Sequence, residues 1–328
     1  MAPTLMAVPN VSEGRDQRTI AAIADAFAGA DRAGAIAGEA GVRGAVAREA
    51  GVRVLDVHSD RHHHRSVYTL AGGADALLDA LLAGARVAVE RIDVSGGTRE
   101  AAGESGQHPH VGALDVAPLV YLRAEDRGLA CASALVLGER IGEELGVPVF
   151  LYGELTAGAD GDAAAPGRTR AELRRGGVGA LAARIAHPEQ PLAPDFGPPS
   201  AHPTAGATLV AAREPLVAFN LQLAPPAGIA RAREIAGAIR EGGASGLPGL
   251  RAIAVELAGG VAQVSMNVER PLELPLARVV EAVRAHAPVA SAELVGLAPA
   301  AALAGFPADV AMPGFDPARH VIENALRC

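Results

Sequence analysis

The 328-residue sequence contains no lysine and no tryptophan, and only 3% of its residues are aromatic. Without lysine, a phosphate-binding loop that ends in Gly-Lys-Ser/Thr is excluded, and so is the lysine-dependent set of kinase motifs. With few aromatic side chains, the core has to be built from Ala, Val, Leu and Ile. Hydrophobic residues make up 50% of the chain, so the sequence can bury a sizeable core.

Cysteine is scarce as well, because Cys131 and Cys328 are the only two. They form no CxxC motif, so the sequence predicts neither a disulfide framework nor a cysteine-based metal site. Cys131 falls in an apolar helical pattern and is expected to be a small core residue. We expect no bound metal.

Acidic residues outnumber basic residues, and the formal net charge is −8. This balance argues against a general nucleic-acid-binding protein, which usually has a basic face. No signal-peptide pattern and no apolar run long enough for a membrane span are found. We therefore expect a cytoplasmic protein with no nucleic-acid partner and no membrane partner.

The second half of the chain has strand and helix patterns in the order β-α-β-β-α-β, which is typical of a ferredoxin-like α/β (α+β) subdomain. The first half has a similar order with an added helix and strand. Between them, the Pro- and Gly-rich stretch HPEQPLAPDFGPPSAHPTAGAT is the best linker candidate. We therefore predict two ferredoxin-like βαββαβ-type subdomains, 1–205 and 206–328, with a ligand cleft between them.

The stretch HSDRHHHRSVY contains four histidines, His58, His62, His63 and His64. A metal site is one interpretation, but zinc needs three or four convergent ligands, and strand alternation would direct His63 away from its neighbours. A solvated turn is the simpler interpretation. In a third interpretation the functional residue is Arg65, because a guanidinium can bind a carboxylate through two hydrogen bonds.

The stretch GQHPHVGALDVAPLVYL places two histidines just before an apolar strand. His108 precedes a proline, which restricts it to an extended backbone and suits a positioned imidazole. Asp115 in the following strand could orient an imidazole. From these residues alone, a catalytic base and an ordinary loop histidine both remain open.

Two further loops are candidates. In VPNVSEGR, Asn10 and Ser12 could donate to a ligand, or Ser12 or Asp16 could cap the next helix. In DFGPPSAHPTAG, the segment from Gly197 to Gly206 could be a stiff loop whose backbone lies close to a ligand.

Taken together, eight stretches in this order closely resemble the glutamate formimidoyltransferase family: AVPNVSEGRD, LDVHSDRHHHRSVYTLAG, HPHVGALDVAPLV, VPVFLYGE, APDFGPPSAHPTAGAT, LVAFNLQL, AQVSMNV and AELVGLAP. The resemblance spans about residues 8–325. It resembles the monofunctional form, without a cyclodeaminase domain.

The resemblance implies two α/β subdomains around a folate-binding cleft, usually in a homodimer. It implies transfer of the formimino group from N-formimino-L-glutamate to N5 of tetrahydrofolate, the co-substrate, with release of glutamate. His108 matches the family's catalytic histidine. Arg65 and Arg213 are hypothetical partners of the substrate carboxylates. The family's folate loop matches Gly197, Pro198, Pro199, Ser200, Ala201, His202, Pro203, Thr204, Ala205 and Gly206, and Asn10 and Ser12 join the predicted binding residues.

Three positions depart from the family pattern. His110 replaces an arginine, His64 replaces an asparagine and Val11 replaces an aromatic residue. The segment GGTREAAGESGQ before His108 is also atypical. The alternatives are an enzyme of the same fold that uses N-formylglutamate or 5-formyl-tetrahydrofolate as the donor, and a folate-binding protein without turnover.

Overall fold

The computed structural model describes residues 4–36, 51–95, 109–157 and 167–327, with the side chains of 30–36 left out. It divides into two compact units, unit 1 (Met1–Arg213) and unit 2 (Glu214–Cys328). The predicted catalytic residue, His108, lies outside the described residues.

Unit 1 is an α/β unit whose main feature is a mixed sheet. Its strands are β1 (Leu5–Ala7), β2 (Asn10–Val11), β3 (Arg53–Asp60), β4 (Arg65–Gly72), β5 (Leu114–Val120), β6 (Val149–Leu151) and β7 (Thr208–Arg213). Its helices are α1 (Gln17–Ile36), α2 (Ala74–Arg91), α3 (Arg127–Leu145), α4 (Arg170–Arg174) and α5 (Gly177–Ile185).

The strand order in unit 1 contains the ferredoxin-like arrangement. β1 and β2 lie in succession between β4 and β5 and are antiparallel to both, and β3 pairs with the outer edge of β4. The additional strands extend the sheet beyond β5, because β7 pairs with β5 and β6 pairs with β7, both in parallel. The chain therefore adds two parallel strands, β7 and β6, to the sheet of the βαββαβ core.

Helices cover both faces of the extended part of this sheet. One core joins α1, α2 and α3 to the sheet, with Phe27, Leu81 and Leu137 among its buried residues. On the other face, Leu181 of α5 packs in a second core with Val116 of β5. Every residue of β5 is buried, which explains why its sequence is an almost continuous apolar run and does not alternate.

Unit 2 has the predicted ferredoxin-like order. Its elements are β8 (Val217–Leu223), α6 (Ile229–Ile239), β9 (Leu250–Glu256), β10 (Ala262–Val268), α7 (Leu276–Arg284) and β11 (Val289–Val295), followed by the short helices α8 (Pro317–His320) and α9 (Ile322–Ala325). The strands form one antiparallel sheet in the order β11-β8-β10-β9. One face of the sheet packs on α6 and α7. The prediction of two ferredoxin-like subdomains is confirmed.

The Pro- and Gly-rich stretch predicted as a linker lies inside unit 1. Phe196 exchanges backbone hydrogen bonds with Val149 of β6, at 2.9 and 3.3 Å. The residues that follow lead directly into β7, which belongs to the sheet of unit 1. The division between the units therefore falls at 213/214, and not at the predicted 205/206, because β7 is held by β5 and β6.

Other local predictions also need correction. The apolar pattern from Arg170 to Ile185 predicts one helix, but the segment forms two, α4 and α5. They are separated at Gly176, whose φ of +78° is incompatible with a continuing helix. Cys131 is in α3 as expected but is partly exposed. Among the described residues, no helix combines the length and the apolar character that a membrane crossing requires.

Candidate functional site

The segment that follows His108 is fixed by the predicted folate loop. Val111 accepts a hydrogen bond at its carbonyl from the amide of Ala207 (2.9 Å), and the amide of Ala113 donates to the carbonyl of Ala205 (2.9 Å). Between them, Gly112 forms an isolated bridge with Gly206. The end of the 197–206 loop therefore lies directly beside residues 109–116, the described part of the stretch HPHVGALDV. We call this stretch the histidine motif.

Ser12 fixes the same segment from the other side. Its amide donates to the carbonyl of Ala113 (2.9 Å), and its hydroxyl donates to the carbonyl of Gly112 (2.7 Å). Ser12 is consequently not a helix cap. The cap of α1 is Asp16, whose carboxylate accepts from the amide of Arg18 (3.0 Å) and the hydroxyl of Thr19 (2.7 Å).

Glycines make this close approach possible. A Cβ atom on Gly112 would lie 1.9 Å from the carbonyl oxygen of Ala207, and one on Gly206 would lie 2.3 Å from that of Val111. Gly206 also has a φ of +69°, which favours glycine. Two backbone segments thus meet without intervening side chains.

The rest of the predicted folate loop is held at both ends and exposed between them. His202 and Gly206 exchange backbone hydrogen bonds of 2.9 and 3.0 Å, and Nδ1 of His202 accepts from the amide of Ala205 (3.0 Å). At the other end, a Cβ on Gly197 would come within 2.8 Å of the carbonyl oxygen of Val147. Pro199, Ser200, Pro203 and Thr204 are exposed, so they are accessible to a ligand.

The histidine-rich stretch forms the turn between β3 and β4. Oδ1 of Asp60 accepts hydrogen bonds from the amides of His62 (2.7 Å) and His63 (2.8 Å). His62 is exposed, whereas His63 and His64 are only 2% and 5% exposed. The strand-alternation argument for His62, His63 and His64 was wrong, because these residues lie in a turn and not in a strand.

His64 has an unusual backbone and a defined ring contact. Its φ is +49°, in the left-handed region, and its Nδ1 accepts a hydrogen bond from the amide of Gly14 (3.1 Å). The carboxylate of Glu13 lies 3.4 Å from the same nitrogen. A Cβ on Gly14 would lie 2.2 Å from the carbonyl oxygen of Asp60, so the turn packs tightly on the loop before α1.

A small pocket joins these segments. We call it the Arg65 pocket. Its lining residues come from the β2 end, the histidine-rich turn and the start of β5: Asn10, Val11, Ser12, His63, His64, Arg65, His110 and Asp115. Three of the predicted binding residues, Asn10, Ser12 and Arg65, therefore line one pocket beside the histidine motif.

Arg65 is the positive charge of this pocket. The pKa of Arg65 is lowered to about 10, mainly by burial and secondly by the nearby charge of Arg174. The guanidinium is still protonated at neutral pH. A half-buried cation in such a pocket is suited to binding an anionic group.

Asp115 anchors the histidine motif in the described structure. One carboxylate oxygen accepts from the amide of Val111 (2.8 Å), and the other forms an ion pair with Arg174. Sequence reasoning missed Arg174, which lies 59 residues from Asp115 in a polar run without a recognisable motif. No local signal could have identified it.

Arg213 does not lie with these residues. It ends β7, opposite Val120 at the far end of β5, and its carbonyl accepts from the amide of Tyr121 (3.2 Å). The distance along β5 from Asp115 to Val120 is roughly 16 Å at about 3.3 Å per residue. In addition, no group of three or more His, Cys, Asp or Glu side chains within the described ranges is arranged to hold a metal ion.

Comparison with known proteins places the chain in a family. Residues 4–213 match the N-terminal subdomain of the formiminotransferase domain, a range that ends where unit 1 ends. The whole chain is similar to the glutamate formimidoyltransferase of Streptococcus pyogenes serotype M1, with 34% identity over 99% of both proteins. The chain belongs to the glutamate formimidoyltransferase family.

Two more relatives extend the comparison. The glutamate formimidoyltransferase of Thermoplasma acidophilum is 35% identical over 90% of this chain and 88% of its own length. The formimidoyltransferase-cyclodeaminase of Gallus gallus is 34% identical over 92% of this chain, but the match covers only 51% of that protein. The family assignment predicted from the sequence is confirmed.

Proposed function

We propose that this member of the glutamate formimidoyltransferase family moves the formimino group of N-formimino-L-glutamate to N5 of tetrahydrofolate and releases glutamate, a reaction of histidine degradation. The observation that supports it most directly is the similarity to the Streptococcus pyogenes glutamate formimidoyltransferase over 99% of both proteins. In this proposal the protein is a folate-dependent transferase.

The surroundings of the histidine motif support His108 as the catalytic acid and base. Its neighbouring segment is fixed at successive backbone positions by Ser12, Ala205, Ala207 and Asp115. A catalytic group benefits from a rigid attachment, because small displacements from the reacting atoms lower the rate strongly.

The proposed chemistry requires two proton transfers. N5 of tetrahydrofolate attacks the formimino carbon, a new C–N bond forms, and the electrons of the C=N bond move to its nitrogen to give a tetrahedral intermediate. His108 removes the proton from N5 and then delivers a proton to the departing glutamate nitrogen as its bond to the carbon breaks. Such general acid–base catalysis contributes roughly 10²–10⁴-fold in rate.

The exposed loop from Gly197 to Gly206 is the proposed contact with the folate. Its tip is accessible, and its C-terminal end lies against Val111 and Gly112, which follow the proposed catalyst in the sequence. A folate held by this loop would therefore be near the histidine motif.

The deciding experiment is a spectrophotometric transfer assay with purified protein, tetrahydrofolate and N-formimino-L-glutamate. We expect formation of 5-formimino-tetrahydrofolate. His108→Ala should abolish turnover and retain folate binding, whereas the control His187→Ala, at an exposed histidine of unit 1, should have normal activity. Intact turnover in His108→Ala would refute the catalytic assignment.

A second candidate is an enzyme of the same fold that uses N-formylglutamate or 5-formyl-tetrahydrofolate as the donor. It is favoured by His64 and His110, which line the Arg65 pocket where the family pattern has asparagine and arginine. Parallel assays with these donors separate the two candidates. Folate binding without any transfer would instead indicate a binding protein.

The proposal also includes a homodimer located in the cytoplasm. Light scattering after size-exclusion chromatography measures the mass of the assembly directly. A monomer mass would remove the dimer from the proposal and leave the transfer reaction unaffected.

A further inference from the structure

Two further arginines, Arg170 and Arg174, lie near the Arg65 pocket without lining it. Arg170 and Arg174 are four residues apart on α4 and so project from the same side of the helix. Arg174 reaches Asp115, which lines the pocket together with Arg65. The charges of both Arg170 and Arg174 also lower the pKa of Arg65, so the three cations are within electrostatic range of each other.

The carboxylates in this region are already engaged. Asp115 binds Arg174 and the amide of Val111, and Asp60 accepts from the amides of the histidine-rich turn. Within the part of the chain that the structure describes, Arg65 and Arg170 form no ion pair with a carboxylate. Asp60 and Asp115 stabilise the charged form of Arg65, but two carboxylates only partly balance three arginines. The excess positive charge favours the binding of an anion.

Arg174 has a side-chain donor without an acceptor among the described residues. The residue is only 8% exposed, and its Nε has no hydrogen-bond acceptor among the described residues. Buried donors normally have a partner, because an unsatisfied donor destabilises the folded state. The guanidinium carbon of Arg170 lies 5.9 Å from the centre of the Tyr152 ring, a cation–π contact that restrains this side chain.

We infer that Arg65, Arg170 and Arg174 form a binding site for a carboxylate of a glutamyl group. The planar guanidinium matches a carboxylate in geometry, and Asp115 holds Arg174 in position for it. The identity of the ligand rests on the proposed function, in which both the formimino donor and tetrahydrofolate contain a glutamyl group. Either source has the chemistry that the three arginines recognise.

Arg170→Gln is the principal test, because it removes one cation and leaves no buried carboxylate unpaired. Arg174→Lys retains the charge opposite Asp115 but removes the Nε donor. Arg175→Gln is the matched control, since it removes an exposed positive charge next to the same helix. Hydrogen bonds to charged groups correspond to roughly ten- to hundredfold in affinity.

The kinetic readout identifies the source of the carboxylate. A roughly tenfold or larger rise in KM for N-formimino-L-glutamate in both variants, with kcat and the control nearly unchanged, assigns the site to the donor. The same rise in KM for tetrahydrofolate assigns it to the folate tail. Unchanged KM values for both substrates would overturn the inference.

A binding measurement separates this inference from the proposed function. In calorimetric titrations, wild-type protein should bind L-glutamate more tightly than neutral glutaramide, and Arg170→Gln should reduce this preference about tenfold. If wild-type protein lacks transfer activity but shows this behaviour, the proposed function fails and the carboxylate site stands. If it transfers the formimino group but has no preference for L-glutamate and no KM effect, the site fails alone.

Discussion

The hydroxyl of Ser12 donates a 2.7 Å hydrogen bond to the carbonyl of Gly112, which is 100 residues away in the sequence. Both groups are buried. The bond connects the loop after β2 with the segment that follows His108, and so joins two stretches whose motifs had been identified separately. It fixes the backbone at Gly112, in the stretch that follows the proposed catalyst in the sequence.

Ser12→Ala should therefore affect both stability and turnover. The carbonyl of Gly112 loses its side-chain partner inside the protein, which should lower the free energy of unfolding by about 1–2 kcal/mol. We also expect a lower kcat, since the histidine motif becomes less rigid. Urea unfolding and the transfer assay measure the two effects. Ser245→Ala, at an exposed serine outside the proposed site, is the control, and equal results for both variants would contradict the structural role of Ser12.

Gly112→Ala tests the close contact between the histidine motif and the folate loop. The new Cβ would lie 1.9 Å from the carbonyl oxygen of Ala207, so one of the two backbone segments has to move. We expect a loss of more than about 2 kcal/mol in stability or, if the loop yields, weaker folate binding. Gly179→Ala in α5 has open space around its Cβ and should be neutral or stabilising. A folded Gly112→Ala variant with normal folate affinity would argue against the contact.

The stability of variants at His64 should depend on how readily the new residue adopts the left-handed backbone region. Asparagine adopts the left-handed region more readily than a β-branched residue, so His64→Asn should be more stable than His64→Val by about 1–2 kcal/mol. Both lose the ring acceptor of the Gly14 amide, although the asparagine side chain can replace it in part. Thermal unfolding of the two variants, with His62→Val as an exposed control, provides the comparison. Equal stability of the two His64 variants would exclude backbone strain at this position.

Tyr68 should make the protein less stable at alkaline pH. Its ring is fully buried against Phe27 and its hydroxyl donates to the carbonyl of Ile20 (3.0 Å). Burial, and to a smaller extent Glu13, raises the pKa of Tyr68 far above its ordinary value near 10. The folded state therefore retains a proton that the unfolded state loses. The stabilising contribution is complete below pH 10 and decreases above it, by about 1.4 kcal/mol per pH unit.

Unfolding experiments in a pH series from 8 to about 11 measure this effect. Tyr68→Phe should remove the Tyr68 part of the decrease, whereas Tyr121→Phe, whose hydroxyl donates to Glu154, is the matched control. An identical alkaline loss in wild type and Tyr68→Phe would show that another group is responsible.

Much of the fold was predictable because its elements have strong local periodicity. The hairpin of β9 and β10 and the helix α2 follow directly from alternating and helical apolar patterns. The order of elements then predicts ferredoxin-like subdomains, and the eight matched stretches identify the family. The predictions failed where composition alone was used, as in the Pro- and Gly-rich stretch, whose backbone hydrogen bonds to β6 make it part of unit 1.

The site was predictable only in part. Asn10, Ser12 and Arg65 were identified from sequence and lie in one pocket, but the role of Ser12 could not be decided between cap and ligand donor. Arg170 and Arg174 were not identified at all. Arg213 was named with Arg65, and the register of β5 and β7 places it at the far end of the strand. No sequence pattern reports which strand ends are adjacent.

The sequence by itself determined the type of most elements, the βαββαβ order and the family, because these depend on local periodicity and on motifs read in succession. The tertiary structure decided that Ser12 and Ala205 hold the same segment, that His63 and His64 are buried in a turn, and that Arg174 neutralises Asp115. These contacts join residues tens of positions apart. They form only when the sheet brings its strands together, so the local sequence has no information about them.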